Sequence, residues 1–222
     1  MSLLVPRLDI LPDPQRRLWP ELAQTPADFT LYGGTAIALR LGHRQSLDFD
    51  FFALTRGFEP RSLLERVPYL GGAAVRQSAP DTLSVTVDRG GSVQLSFFGG
   101  LRLGQVAPAE EVEGPRFKIA ALIDLAGRKA AVVTQRAELK DYLDIHVLLT
   151  KLSLAEMLAA AAIIYGPQFS PLVSLKAIAY HQDAALASLP QSIRRDLAVA
   201  VTATDPQRLP ALEAVRRHGA AP

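Results

Sequence analysis

The stretch LYGGTAIALRLGHRQSLDFDFF, Leu31 to Phe52, holds two glycines, a threonine and a pair of aspartates one residue apart. Its residues pull in opposite directions. Leu47, Phe49 and Phe51 favour burial, whereas Asp48 and Asp50 are costly to bury unless something positive meets them. On a β-strand successive side chains face opposite ways, so Asp48 and Asp50 project together while Leu47, Phe49 and Phe51 are expected to face the core. The two aspartate Cα atoms would lie about 6.6 Å apart, and like charges so placed repel and raise a pKa if left alone. A divalent cation removes the conflict, because carboxylate oxygens are the ligands Mg2+ prefers and nucleotide phosphates can complete its octahedron. Two such ions about 4 Å apart can support in-line phosphoryl or nucleotidyl transfer. The competing reading is a solvated strand face, the common office of a lone D-x-D.

Working outward, FTLYG (29–33) reads as a strand and TAIALRLG (35–42) as a short helix that Gly42 ends. Gly33, Gly34 and Thr35 stand at the join. Glycine there permits tight backbone geometry, and the N–H groups that start a helix form an anion site to which the Thr35 hydroxyl can add a donor. The plain alternative is a strand-to-helix turn with Thr35 as N-cap. Neither G-x-x-x-x-G-K-[ST] nor G-x-G-x-x-G is present, so P-loop and Rossmann readings lack support.

The order of these parts resembles the first motif of the AbiEii/AbiGii-type nucleotidyltransferase toxins, a branch of the DNA polymerase β-like nucleotidyltransferase superfamily. Its hallmark is G-[GS]-[ST], a helix, then D-x-D on the next strand. The flanking Arg44, Ser46 and Phe52 agree with it as well. The resemblance implies that Gly33, Gly34 and Thr35, with Arg44 and Ser46, hold the nucleotide, and that Asp48 and Asp50 bind Mg2+ and carry the catalysis. A second stretch, RKAAVVTQRAELKDYLDIHVLL (128–149), is similar to the later toxin motifs K-x-x-A-x-x-x-R and K-D-x-x-D. If one helix runs through it, Lys129, Arg136, Lys140 and Asp144 fall on a face about 80° wide, with Asp141 to one side. The resemblance makes Lys129, Arg136 and Lys140 nucleotide-binding residues, Asp141 a catalytic or structural carboxylate, and Asp144 a supporting one. On charge pattern alone, a solvated helix face serves equally.

The rest of the chain sets the frame. Its 222 residues suffice for one large domain or two intimately packed ones. With 49% apolar and 21% charged residues it is an ordinary globular chain, and a formal charge of +2 argues for no polyanion partner. No cysteine is present, which excludes disulfides and thiolate metal sites and fits a reducing cytosol. The N-terminus lacks a signal-peptide pattern, and the most apolar run, LAEMLAAAAIIYG from Leu154, is shorter than the roughly 20 residues a bilayer requires. A cytoplasmic protein is expected.

PRSLLERVPYL reads as a helix with proline in its first turn. TLSVTVD and SVQLSFF read as a hairpin closed by RGG. From Phe117 onward six helices are expected: FKIAALIDLAGRKAAVVTQR, AELKDYLDIHVLLTK, LAEMLAAAAIIYG, PLVSLKAIAYHQDAALASL, SIRRDLAVAVTA and RLPALEAVRRHG. GLRLGQVAPAEEVEGPR (100–116) is the natural joint. The expected fold is α+β: a polymerase β-like core with a small mixed sheet over residues 1–110, then a helical subdomain over 111–222 that completes the cleft.

One departure stands out. Polymerase β-like enzymes place a third carboxylate on a later strand, but SVQLSFF offers Gln94 and Ser96. Asp88 near a turn, or Asp141, are the substitutes. His43, His146, His181 and His218 show no metal-ligand spacing. Arg194, Arg195, Arg216 and Arg217 could meet an RNA backbone or simply face solvent, and Trp19 and Tyr32 read as core or edge residues. The leading expectation is Mg2+-dependent transfer of a nucleoside monophosphate from an NTP to a hydroxyl of RNA (tRNA) or protein, by the toxin of a toxin–antitoxin pair with an antitoxin protein as partner. The missing carboxylate motivates an alternative, a catalytically inactive nucleotide- or RNA-binding module on the same fold. A helical interaction protein with the α/β half as scaffold is the third.

Overall fold

A computed structural model describes residues 3–54 and 56–219. Eight strands form one mixed sheet: β1 (Leu3–Leu4), β2 (Thr30–Tyr32), β3 (Asp48–Phe52), β4 (Ala74–Ala79), β5 (Thr82–Asp88), β6 (Ser92–Phe98), β7 (Glu110–Val112) and β8 (Lys118–Ile119). Their spatial order is β1-β7-β8-β2-β3-β6-β5-β4. Strict alternation on β3, β5 and β6 decides which face is covered. Phe49, Phe51, Leu83, Val85, Val87, Val93, Leu95 and Phe97 are all buried on one face, and Phe51 stacks on Phe97 with centroids 5.4 Å apart. Asp48, Asp50, Ser84, Thr86, Gln94 and Ser96 occupy the other.

The hairpin forms as expected, with β5 antiparallel to β6, and β3 runs parallel to β6. Leu47 does not join the core; it precedes β3 and is 64% exposed. The short helices α1 (Asp13–Leu18), α2 (Gly33–Leu41) and α3 (Pro60–Arg66) complete this part of the chain. Gly42 ends α2 in the left-handed region, φ +67, its N–H bonded to Ala38 O.

Residues 118–119, expected in a helix, instead form β8 beside β2. Together with β7, they belong to the sheet. The chain accordingly divides into two units, residues 3–102 with Ala109–Ala120, and Leu103–Pro108 with 121–219. Arg40 on α2 ties the 109–120 segment down. Its buried guanidinium donates to Ala120 O (2.6 Å) and pairs with Glu110 at 3.3 Å. Burial depresses its pKa, and Glu110 opposes that shift.

The second unit is built from α4 (Leu122–Val132), α5 (Leu139–Leu148), α6 (Leu154–Tyr165), α7 (Pro171–Ala179) and α8 (Gln191–Thr202). Ser153 and Glu156 form a capping box that starts α6. Its alanines let α4 approach so closely that a Cβ on Gly127 would lie 2.8 Å from Ala161 N. The segment 103–108, expected as a joint, is held as a strap. Asp124 accepts the N–H groups of Val106 (2.8 Å) and Ala107 (2.9 Å), and Gln105 bridges to Arg216. Burial raises the Asp124 pKa against the pull of those two hydrogen bonds.

Two helix expectations are corrected here. α7 stops at Ala179, so HQDAALASL does not continue it; a 3-10 turn follows at Ala184–Leu186. RLPALEAVRRHG is not helical, because Pro210 interrupts it and Arg216 bonds across to Gln105 instead. Among the described residues, no helix is long and apolar enough to cross a membrane.

Candidate active site

The first unit assembles its motif residues around the start of α2. Gly33 adopts φ +75, a conformation that favours glycine, and a Cβ there would lie 2.6 Å from Asp50 Oδ2. The glycine thus makes room for a carboxylate directly over the backbone at the helix N-terminus. A Cβ on Gly34 would collide with the Arg44 guanidinium and lie 3.3 Å from Ser46 Oγ. Gly33, Gly34, Arg44, Ser46 and Asp50 are therefore one cluster. Arg44 also donates to Gln45 O at 2.8 Å, and Ser46 is buried.

The plain alternative for Thr35, an N-cap, is not what forms. Tyr32, not Thr35, is the N-cap of α2. The buried Thr35 hydroxyl donates to the backbone carbonyl of Asp48. Its one proton ties α2 to β3, so Thr35 fixes the relation between the glycine turn and the aspartates.

Asp48 and Asp50 are half-buried on the polar face. The parallel register sets Asp48 against Gln94 and Asp50 against Ser96, and Ser96 accepts a hydrogen bond from Ser84 (3.2 Å). The strand where a third carboxylate was sought is thus the neighbour of β3, and its facing positions are amide and hydroxyl. Asp88 does not substitute. It closes the hairpin turn by accepting the N–H groups of Gly90 (2.8 Å) and Gly91 (2.9 Å), which hold its carboxyl below the usual range. Among the described residues no group of three or more His, Asp or Glu side chains stands ready for a metal. The pair still suits Mg2+ in donor type: two carboxylates on one face, one of them over a glycine cradle that a Cβ would fill.

In the second unit residues 128–149 lie on two helices, as the separate expectations for FKIAALIDLAGRKAAVVTQR and AELKDYLDIHVLLTK have it, so the shared face that one continuous helix would give does not form. α4 ends at Val132 and α5 begins at Leu139, so Lys129 and Lys140 do not share a helix face. The turn between them brings the charges together in another way. Lys129 Nζ lies 2.8 Å from Asp141 Oδ1 and 2.8 Å from Asp144 Oδ2, and both carboxylates are wholly buried. Arg136 Nε donates to Asp141 Oδ2 at 3.0 Å. Glu138 takes both Arg136 (3.1 Å) and Lys140 (3.0 Å). Three cations meet three acids. Asp141 thus has both carboxylate oxygens on cations of its own unit. Sequence reasoning found these residues but not their mutual pairing, which the turn between the two helices creates.

His146 bonds Asp196 at 2.9 Å on α5 and α8, and the other histidines join no metal set. Arg194 caps backbone carbonyls at Leu186 and Leu189, and Arg216 bonds Leu103 O, so both serve the fold.

Comparison with known proteins gives the family and the fold. Residues 17–217 match the family described as "Nucleotidyl transferase AbiEii toxin, Type IV TA system". An uncharacterized protein of Aquifex aeolicus (strain VF5) is 34% identical over 125 residues, 56% of this chain, and the match spans 59% of that relative's length. Among solved structures, the nucleotidyltransferase toxin MenT4 of Mycobacterium tuberculosis H37Rv superposes with a TM-score of 0.60 at 16% identity, over 88% of this chain and 84% of its own. An H. pylori protein assigned as a nucleotidyltransferase gives 0.51 at 21% identity, over 85% and 90%. At such identities the likeness is one of fold: the mixed sheet and helical unit are a nucleotidyltransferase architecture.

Proposed function

The chain belongs to the AbiEii nucleotidyl transferase toxin family, and from that premise we propose that it transfers a nucleoside monophosphate from an NTP to an acceptor hydroxyl on RNA or protein, as the toxin opposed by an antitoxin. The observation that carries the reading is the cluster at the start of α2, where Gly33 leaves space for Asp50 and Gly34 for Arg44. Backbone N–H groups at that helix start and the Arg44 guanidinium favour the anionic triphosphate. Asp48 and Asp50 would hold Mg2+, which supplies charge neutralisation to the phosphates. Thr35 keeps the carboxylates in register with the helix start by its bond to the Asp48 carbonyl. Such catalysis is mainly positioning and electrostatics, so few side chains are needed.

The missing third carboxylate supports a second reading, a module that binds nucleotide or RNA without turnover. Four α-labelled NTPs, each incubated with Mg2+ and total cellular RNA and protein, separate the two. Label fixed by wild type and lost in Asp50→Ala is the expected result and names both base and acceptor class. Nucleotide bound with no label transferred would establish the binding module instead.

A further inference from the structure

The polar face of the sheet changes character one step beyond the aspartates. Alternation puts Asp48, Asp50 and residue 52 together on β3, and Gln94, Ser96 and residue 98 together on β6. The parallel register pairs them in three rows: Asp48 with Gln94, Asp50 with Ser96, Phe52 with Phe98. In the third row both strands place phenylalanine where the first two rows carry polar groups.

The pair is well formed. The Phe52 and Phe98 centroids are 5.0 Å apart with planes inclined at 29°. The buried Tyr32 presents itself edge-on to Phe52 at 5.3 Å and 74°. Phe51 and Phe97, directly behind on the other face, are wholly buried, whereas Phe52 and Phe98 are only half-buried. A partly exposed, braced aromatic pair beside a carboxylate pair is a surface that a planar ring can cover.

We propose that Phe52 and Phe98 form a stacking shelf for a nucleobase, about 6.6 Å along the strand from Asp50. A nucleotide unit lying along β3 would rest its base on the shelf and present its phosphate or its terminal ribose hydroxyl to Asp48 and Asp50. The inference rests on the nucleotidyl-transfer reading and adds a site to it. Two sources supply the same chemistry, the incoming NTP and the last nucleotide of a polynucleotide acceptor. Stacking uses the π-face that every base has, so the shelf holds a base without selecting which one.

Equilibrium binding to the full chain tests this in two arms, each with Mg2+. One arm compares an NTP with ribose triphosphate that lacks a base. The other compares a short oligoribonucleotide with the same strand made abasic at its 3′ terminal nucleotide. In one arm wild type should prefer the base-bearing ligand by about tenfold, the scale of one stacking contact. Phe98→Leu should lose that preference and Phe98→Tyr should keep it, and the responding arm identifies the source. The proposal falls if wild type binds base-bearing and baseless ligands alike in both arms, or binds neither, or if Phe98→Leu keeps the full preference. The wild-type comparison needs no substitution, so a misfolded variant cannot mask the answer. Failure of the transfer reading is distinct: wild type would then show the base preference yet fix no label to any acceptor.

Discussion

The chain carries two aspartate pairs, and they have opposite fates. Asp48 and Asp50 sit two apart on a strand, half-buried on a polar face, with a glycine turn making room for one of them. Asp141 and Asp144 sit three apart on a helix, wholly buried, with Lys129 between them and Arg136 on the outer side. Spacing alone puts each pair on one face of its element. What differs is burial. The helical pair is wholly buried and both of its carboxylates meet Lys129. The strand pair is half-buried, with Gly33 leaving room for Asp50 at the start of α2. Carboxylates that look equivalent in a motif are distinguished by their surroundings.

Four substitutions test that distinction. The largest effect is expected at the strand pair: Asp48→Asn should lower transfer on the order of a thousandfold through lost transition-state charge stabilisation, with stability changed by less than about 1 kcal/mol. Rate and melting temperature measured on one preparation check this, and a large loss of stability would erase the contrast. At the helical pair the pattern should invert. Asp141→Asn removes a buried partner of Lys129 and should cost about 3 kcal/mol, seen as a melting temperature lower by about 6–12 °C; an unchanged melting point would mean the cluster is not structural. Gly127→Val, in the same unit but uncharged, should cost about 2 kcal/mol by overpacking against the α6 backbone, giving a scale for purely steric damage.

The smallest effect is expected at a half-buried surface pair. Arg89 donates to both oxygens of Glu21 (2.6 and 2.7 Å) and holds that carboxyl below its ordinary value. A lowered folded pKa means the contribution is present above the ordinary carboxylate value and is lost as pH falls through the folded one. With Glu21 about a third exposed, solvent screening leaves about 0.5 kcal/mol. Glu21→Gln should lose that at pH 7 and match wild type in acid, by denaturant titration at both values.

Much of the first unit was legible in the residues themselves. Alternation in DFDFF, TLSVTVD and SVQLSFF identified the strands and their buried face, and Gly42 marked the end of α2. The G-G-T…D-x-D spacing picked out residues that the structure brings together around the start of α2. Three kinds of information were not local. β7 and β8 have three and two residues, too short for any period to register. The end of α4 at Val132, ahead of the expected Arg136, has no glycine or proline to mark it. The Thr35 bond to the Asp48 carbonyl crosses thirteen residues, and no motif announces a side chain spent on a distant backbone oxygen.

The way the chain is shared between its units has a consequence for how the protein is made. Residues 103–108 belong to the second unit and 109–120 to the first, so the chain changes unit three times. The strands that fill the sheet between β1 and β2 are β7 and β8, synthesised after β6. A nascent chain that has already exposed Gly33, Asp48 and Asp50 still lacks β8, the parallel partner of β2, and Arg40 has neither Glu110 nor Ala120 to hold. The sheet bearing the aspartates is finished only once residue 119 is free of the ribosome. Prematurely terminated products thus carry the motif without its frame.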